Sequence, residues 1–211
     1  MARAREVIVA NVKSARKKGS VLDRLKAAEA HDVLRRLITA HPNLGAEAET
    51  IARSLLAEVT FEAVADDVED GVRAMDLEDL NGRAGRHEWG YVGPDEAAWE
   101  ILEETVEPFL DDIKRQIELG LEAEALEICK GLVLGLYRVE HEERGEVAEW
   151  APDFPAEAAG GAIETWQREM QTTKAARAGA RRSRPTFPQE FVDRFIPEWR
   201  DMIAQIVSRK S

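Results

Sequence analysis

Residues 94–138 read PDEAAWEILEETVEPFLDDIKRQIELGLEAEALEICKGLVLGLYR, and their two apolar stripes, meeting at Gly120, decide the fold. In the first stripe Trp99, Leu102, Val106, Phe109, Ile113 and Ile117 recur at spacings of three or four. Such spacing lines one face of a helix of about 3.6 residues per turn. Pro94, Asp95 and Glu96 suit the orphan amides and positive pole of a helix start, and Lys114 and Arg115 lie toward the opposite pole. Pro108 removes a backbone donor inside the pattern, which predicts a kink near Thr105 or two helices sharing an axis. Gly120 offers the positive φ that commonly ends a helix.

The second segment carries Leu121, Ala125, Ile128, Leu132 and Leu136 on one stripe and Leu126, Cys129, Val133 and Tyr137 on another. A helix apolar around this much of its circumference is buried between neighbours. Gly131 and Gly135 each cost about 1 kcal/mol relative to alanine in a helix interior. Four residues apart, they share a face, which predicts close approach by another helix backbone. The alternative is a groove left open for a ligand.

Working outward, 211 residues suffice for one good core or a core with an appended element. Alternating runs of Val, Ile and Thr are nearly absent, so a sheet has little to be made from. The expected fold is all-α: an antiparallel helical bundle or short α-solenoid of about seven to eight helices, with a basic linker and a C-terminal amphipathic helix. The expected organisation is a basic N-terminal helix over 1–19, a helical core over 20–173, a basic linker over 174–188 and an amphipathic helix over 189–211.

N-terminal to the central pair, Val7, Ile8, Val9 and Val12 mix with Arg3, Arg5, Lys13, Arg16, Lys17 and Lys18. Ser20 and Asp23 form a capping pair. A helix from His31 to Ala40 is expected to turn Val33, Leu34, Leu37 and Ile38 inward and to stop at Pro42. The next, to about Glu58, is expected to bury Leu44, Ala48, Ile51, Leu55 and Val59. Thr60 then caps one burying Phe61, Val64, Val68, Val72 and Met75. Residues 81–94 hold four glycines and a proline and read as an irregular loop. That loop concentrates Arg83, Arg86, His87, Trp89 and Tyr91, residue types that make hot spots and anion contacts, so it is the candidate binding site. The plainer reading is that Trp89 and Tyr91 plug the end of the helical stack while the arginines neutralise nearby carboxylates.

C-terminal to the pair, a helix from about Ala156 to Ala176 aligns Ala159, Ile163, Trp166 and Met170. The basic residues Arg177, Arg181, Arg182 and Arg184 mark the linker. The last helix, bent at Pro197, carries Phe191, Phe195, Trp199, Met202 and Ile206. A well-striped helix behind a linker either folds back or docks on a protein partner, including a second copy.

Net charge is −12, unevenly spread. Residues 1–26 hold eight Lys+Arg against two Asp+Glu, residues 174–211 nine against four, and residues 61–173 nine against thirty. Solubility is the plain account; nucleic acid held by the basic termini is the sharper one. The single Cys129 rules out an intramolecular disulfide. No signal-peptide pattern and no apolar run of about 18 residues is present, so no membrane span is expected and the cytoplasm is the plain compartment.

No nucleotide loop or hydrolase motif is present, and His31, His41, His87 and His141 lack a second ligand at helical spacing. No catalytic residue, metal site or cofactor is therefore expected. Glu62, Asp66 and Asp70 share a helix face as like charges, which Arg83, Arg86, the basic termini or a divalent ion could answer; a solvated acidic face is the plainer reading.

The stretches His31-Asp-Val-Leu-Arg-Arg-Leu-Ile, Pro42-Asn-Leu, Leu119-Gly-Leu-Glu-Ala-Glu-Ala-Leu and Gly131-Leu-Val-Leu-Gly-Leu-Tyr137 resemble the stacked-helix regions that accompany SWIM-type zinc fingers in prokaryotic proteins. They are also similar to tetratricopeptide or HEAT-like solenoids. The resemblance covers roughly residues 22–172, and the cysteines of the finger itself are absent. It implies a helical scaffold for protein contacts. The expected function is accordingly a non-enzymatic protein-interaction scaffold, able to self-associate through the C-terminal helix, with nucleic-acid binding or regulation through the basic termini as the alternative.

Overall fold

The computed structural model describes residues 20–88, 90–142, 144–178 and 185–208. It is all-α, with nine α-helices and one two-stranded ribbon among the described residues. Contacts divide the chain into two units, residues 1–54 and 55–211.

In the first unit Ser20 and Asp23 cap each other: the Leu22 amide donates to Ser20 Oγ at 3.2 Å, and the Ser20 amide to Asp23 Oδ2 at 2.9 Å. A 3₁₀ turn, Val21–Arg24, leads into α1, Ala27–Ala40. The helix starts one turn earlier than expected because Glu29 reaches back to accept the Lys26 amide at 2.9 Å. A second 3₁₀ turn, Pro42–Leu44, leads into α2, Gly45–Leu56. Gly45 sits at the turn, where an added Cβ would meet Ile38 Cγ2 at 3.8 Å.

Most of the expected inward face is not inward, although Ile38, Leu44 and Ala48 are half-buried and Val59 packs against the core of the second unit. Val33, Leu34 and Leu37 are 41%, 46% and 45% exposed, Ile51 is 54% and Leu55 is 65% exposed, and neither helix has a buried residue. Periodicity correctly gave the stripe but carried no information about what covers it.

The second unit is organised around α6, Glu122–His141, with α3 (Phe61–Arg73), α5 (Pro94–Leu119) and α7 (Phe154–Ala178) packed around it. Thr60 caps α3 through the Ala63 amide. Asp76 caps α4, Leu77–Arg83, by accepting the Glu78 and Asp79 amides at 2.8 and 3.1 Å. Helix α5 runs unbroken through Pro108 rather than dividing there. Gly120, at φ 78°, ends it: its amide bonds to Ile117 O and that of Leu121 to Gln116 O, satisfying two orphan carbonyls.

The two glycines of α6 mark the tightest crossing. A Cβ on Gly131 would meet Phe61 O at 2.7 Å, and one on Gly135 would meet Ala65 O at 2.8 Å, both on α3. The backbones therefore approach as the spacing requires, and the groove is filled by Val64 and Val68.

The C-terminal segment closes on its own unit. Helix α7 extends through Ala178, so the first residues of the expected linker are helical. Buried Gln167 donates to Pro185 O at 2.8 Å. Phe187 then seats against Trp166, and Phe191 meets Phe61 edge-on with centroids 5.3 Å apart. Helix α8 (Gln189–Phe195) and α9 (Arg200–Ser208) are separated by a 3₁₀ turn at Pro197–Trp199. Trp199 is 5% exposed and packs edge-on to Tyr137, whose hydroxyl donates to Glu198. The surface expected to seek a partner through Phe191, Phe195, Trp199, Met202 and Ile206 is thus largely occupied in cis, since Phe191, Trp199 and Ile206 are buried and Phe195 and Met202 pack against the core.

The glycine pair yields a sharp contrast. Gly131→Ala and Gly135→Ala, helpful by about 1 kcal/mol on helix propensity, are expected to destabilise by about 1–3 kcal/mol through overpacking. Gly82→Ala, where an added Cβ has nothing within 4 Å, should be neutral or stabilising by up to about 1 kcal/mol. Chemical denaturation of the three variants measures this; equal midpoints for Gly82→Ala and Gly131→Ala would contradict the crossing.

Candidate functional site

Among the described residues, the stretch expected to be an irregular loop is largely regular: Arg83 ends α4 and Pro94 begins α5. Gly85–His87 (β1) pairs antiparallel with Gly90–Val92 (β2), in the register Gly85 to Val92, Arg86 to Tyr91 and His87 to Gly90. Gly85 and Gly90 have φ of 120° and 149°, so the glycines that argued against a helix serve a tight ribbon instead.

The described candidate residues divide into two pairs. Arg83 ends α4 and forks onto Glu104 of α5, Nη1 to Oε1 at 2.8 Å and Nη2 to Oε2 at 2.7 Å, with Glu100 at 3.8 Å. The hydrogen bond from Arg83 holds the Glu104 carboxyl below the usual carboxylate range, and Glu104 in turn raises the guanidinium. His87 is half-buried, with Nε2 2.7 Å from Arg83 O. Among the described candidates, His87 thus meets Arg83 through the backbone carbonyl of Arg83, and Arg86 and Tyr91 are opposed on one ribbon face, Tyr91 being 72% exposed. Trp89 lies outside the described residues. Beside Arg83 a cleft of about 350 Å³ is lined by Met75, Asp79, Ile101, Glu104 and Thr105. Its arginine is already bound to a carboxylate, so the arrangement fastens α4 to α5 and leaves no guanidinium fork open to an anion.

Of the acidic face of α3, Asp66 is answered from α6, while Glu62 and Asp70 are exposed. Arg138 reaches Asp66 at 2.7 Å and Glu69 at 3.3 Å, Arg73 pairs with Glu69, and Arg73 lies 3.5 Å from Glu142. The cation that answers Asp66 is therefore Arg138, which sequence spacing did not bring into view because it lies 72 positions away. Among the described residues no group of three or more His, Cys, Asp or Glu side chains is arranged to hold a metal ion. Also among them, no helix is long and apolar enough to cross a membrane. The basic segment 1–19 and Arg181, Arg182 and Arg184 lie outside the described residues.

What remains without a structural role is the pair of stripes on the first unit. On α1, exposed Val33, Leu34 and Leu37 fall within one arc of the helix; on α2, exposed Ile51 and Leu55 continue the spacing of half-buried Ala48 and of Leu44 in the preceding turn. Aligned exposed apolar side chains of this kind are what interaction sites present. These residues were legible as a stripe and were misassigned to a core.

Cys129 is fully buried, and desolvation pushes its thiol well up from the ordinary range. It should react with a disulfide reagent at least about a hundredfold more slowly in native buffer than in denaturant. Rapid labelling of the native chain, followed by absorbance, would show that α6 is not enclosed.

Compared with family models, curated proteins and solved structures, the chain matches none.

Proposed function

We propose that the protein is a non-enzymatic, α-helical interaction scaffold that presents the stripes of α1 and α2 to a protein surface. The observation that supports this reading is the exposure of Val33, Leu34, Leu37 and Ile51 at 41–54% on helices with no buried residue. Exposed apolar side chains aligned at i, i+3 and i+4 are the anchors by which amphipathic helices dock into grooves or onto other helices. The second unit supplies the rigid body: its core is continuous from Ala65 to Ile206. The resemblance to stacked-helix repeats supports the same class of function.

The test is a photo-crosslinking amino acid placed at Val33 or Leu37 of the full chain, in the cells that express it, with the exposed Glu103 of α5 as control position. Adducts from Val33 and Leu37 and none from Glu103 are expected. Equal yields at all three positions would overturn the reading.

A further inference from the structure

We infer that the surface meeting α1 is a second copy of the same chain, paired antiparallel across a two-fold axis near Val33. This rests on reading the stripe as an interaction surface. The first argument is the placement of charge beside the stripe. Glu29 and Arg36 are seven residues apart and so lie on one edge of α1, one turn to either side of Val33. A two-fold that reverses the helix sets this edge against itself, so that Glu29 of each copy faces Arg36 of the other, twice per dimer. Parallel pairing sets the edge against the opposite one, which carries His31 and Arg35, and brings Arg35 and Arg36 side by side.

The groups are available for such a contact. Arg36 has no ion-pair partner among the described residues. Glu29 is oriented by accepting the Lys26 amide through Oε2. On the other edge Arg35 Nη2 donates to His31 Nε2 at 2.9 Å, an arrangement in which that ring nitrogen is unprotonated.

The second argument is total charge. Residues 20–54 hold five Lys+Arg and five Asp+Glu, whereas residues 55–211 hold eighteen against thirty-five. A surface selected for a basic or an acidic partner carries a charge excess of the opposite sign. The described part of the first unit is neutral and bears its own complement, while two copies meeting through their acidic units would repel.

A contact through one face of the 14-residue α1 is small, so the dimer is expected at the weak end of protein association, with a dissociation constant on the order of micromolar.

Light scattering of the full chain, from about 1 µM to a few hundred µM to bracket that affinity, should show the mass rising from the 23.6 kDa of one chain toward twice that value. Arg36→Glu should weaken the dimer about tenfold by setting like charges face to face. The double variant Glu29→Lys/Arg36→Glu should restore it, since the swap recreates both pairs. Circular dichroism establishes that each variant retains its helices; should the double variant lose helix through its Glu29 cap, mixing Arg36→Glu with Glu29→Gln gives the alternative readout, in which a mixed dimer no tighter than the Arg36→Glu homodimer overturns the pairing. A monomer at every concentration overturns the inference, as does a dimer indifferent to Arg36→Glu. Crosslinked adducts of a mass other than the doubled chain would also overturn it while leaving the interaction reading standing; the absence of stripe-specific adducts would remove both.

Discussion

The close crossing of α3 over α6 is the constraint on which the second unit depends. Two glycines four residues apart remove the side chains that would hold the backbones apart, and Val64 and Val68 descend into the space. The approach costs helix propensity at both glycines, about 2 kcal/mol together, and the gain comes from dense packing around a helix buried on several sides. With α3 that near, Arg138 can span to Asp66 and Glu69, and Phe61 at the start of α3 reaches the aromatic side chains of the C-terminal segment. The polar contacts are thus a consequence of the crossing. Placed on helices a side-chain layer further apart, the same charges would sit in water and be screened.

The C-terminal closure follows from the same geometry. Phe61 is touched edge-on by Phe191 and Phe195, and Phe187 links that group to Trp166 on α7. A segment that begins with a hydrogen bond from Gln167 and ends with Ile203 and Ile206 on the core behaves as part of the body. Asp193 illustrates the outer layer: hydrogen bonds from Gln189 and Arg200 hold its carboxyl below the usual range, which ties α8 to the start of α9 at the surface.

How much of this could be read in advance depended on whether the deciding interaction was local. The α5 and α6 stripes, the Gly120 terminator, the Ser20 and Thr60 caps and the need for a neighbour at Gly131 and Gly135 are all local statements about helix geometry, and the structure bears each of them out. Pro108 was read as a kink near Thr105 or as a division into two coaxial helices, yet one missing donor inside a 26-residue helix held by flanking contacts does not divide it. The ribbon at 85–92 was hidden because three-residue strands have too few positions to show alternation. Arg83 had the chemistry of an anion contact; its engagement by Glu104 is a long-range fact with no local signature. The α1 face was the deepest misreading: amphipathicity records that a surface is to be covered and is silent on whether the cover belongs to the same molecule.

That silence has a physical consequence for the first unit. Helices of 14 and 12 residues are near the length at which isolated helices are marginal in water. Local devices fix where α1 begins: Ser20 with Asp23 and then Glu29 satisfy amides in two successive turns, each contributing on the order of 1 kcal/mol. Capping sets the start of a helix but contributes little to its persistence, which in globular proteins comes mainly from burying an apolar face. With Val33, Leu34 and Leu37 each more than two-fifths exposed, that contribution is largely missing within the described chain. The helicity of α1 and the occupancy of its stripe are therefore one equilibrium. A partner seated on the stripe, as proposed, would also stabilise the helix that presents it.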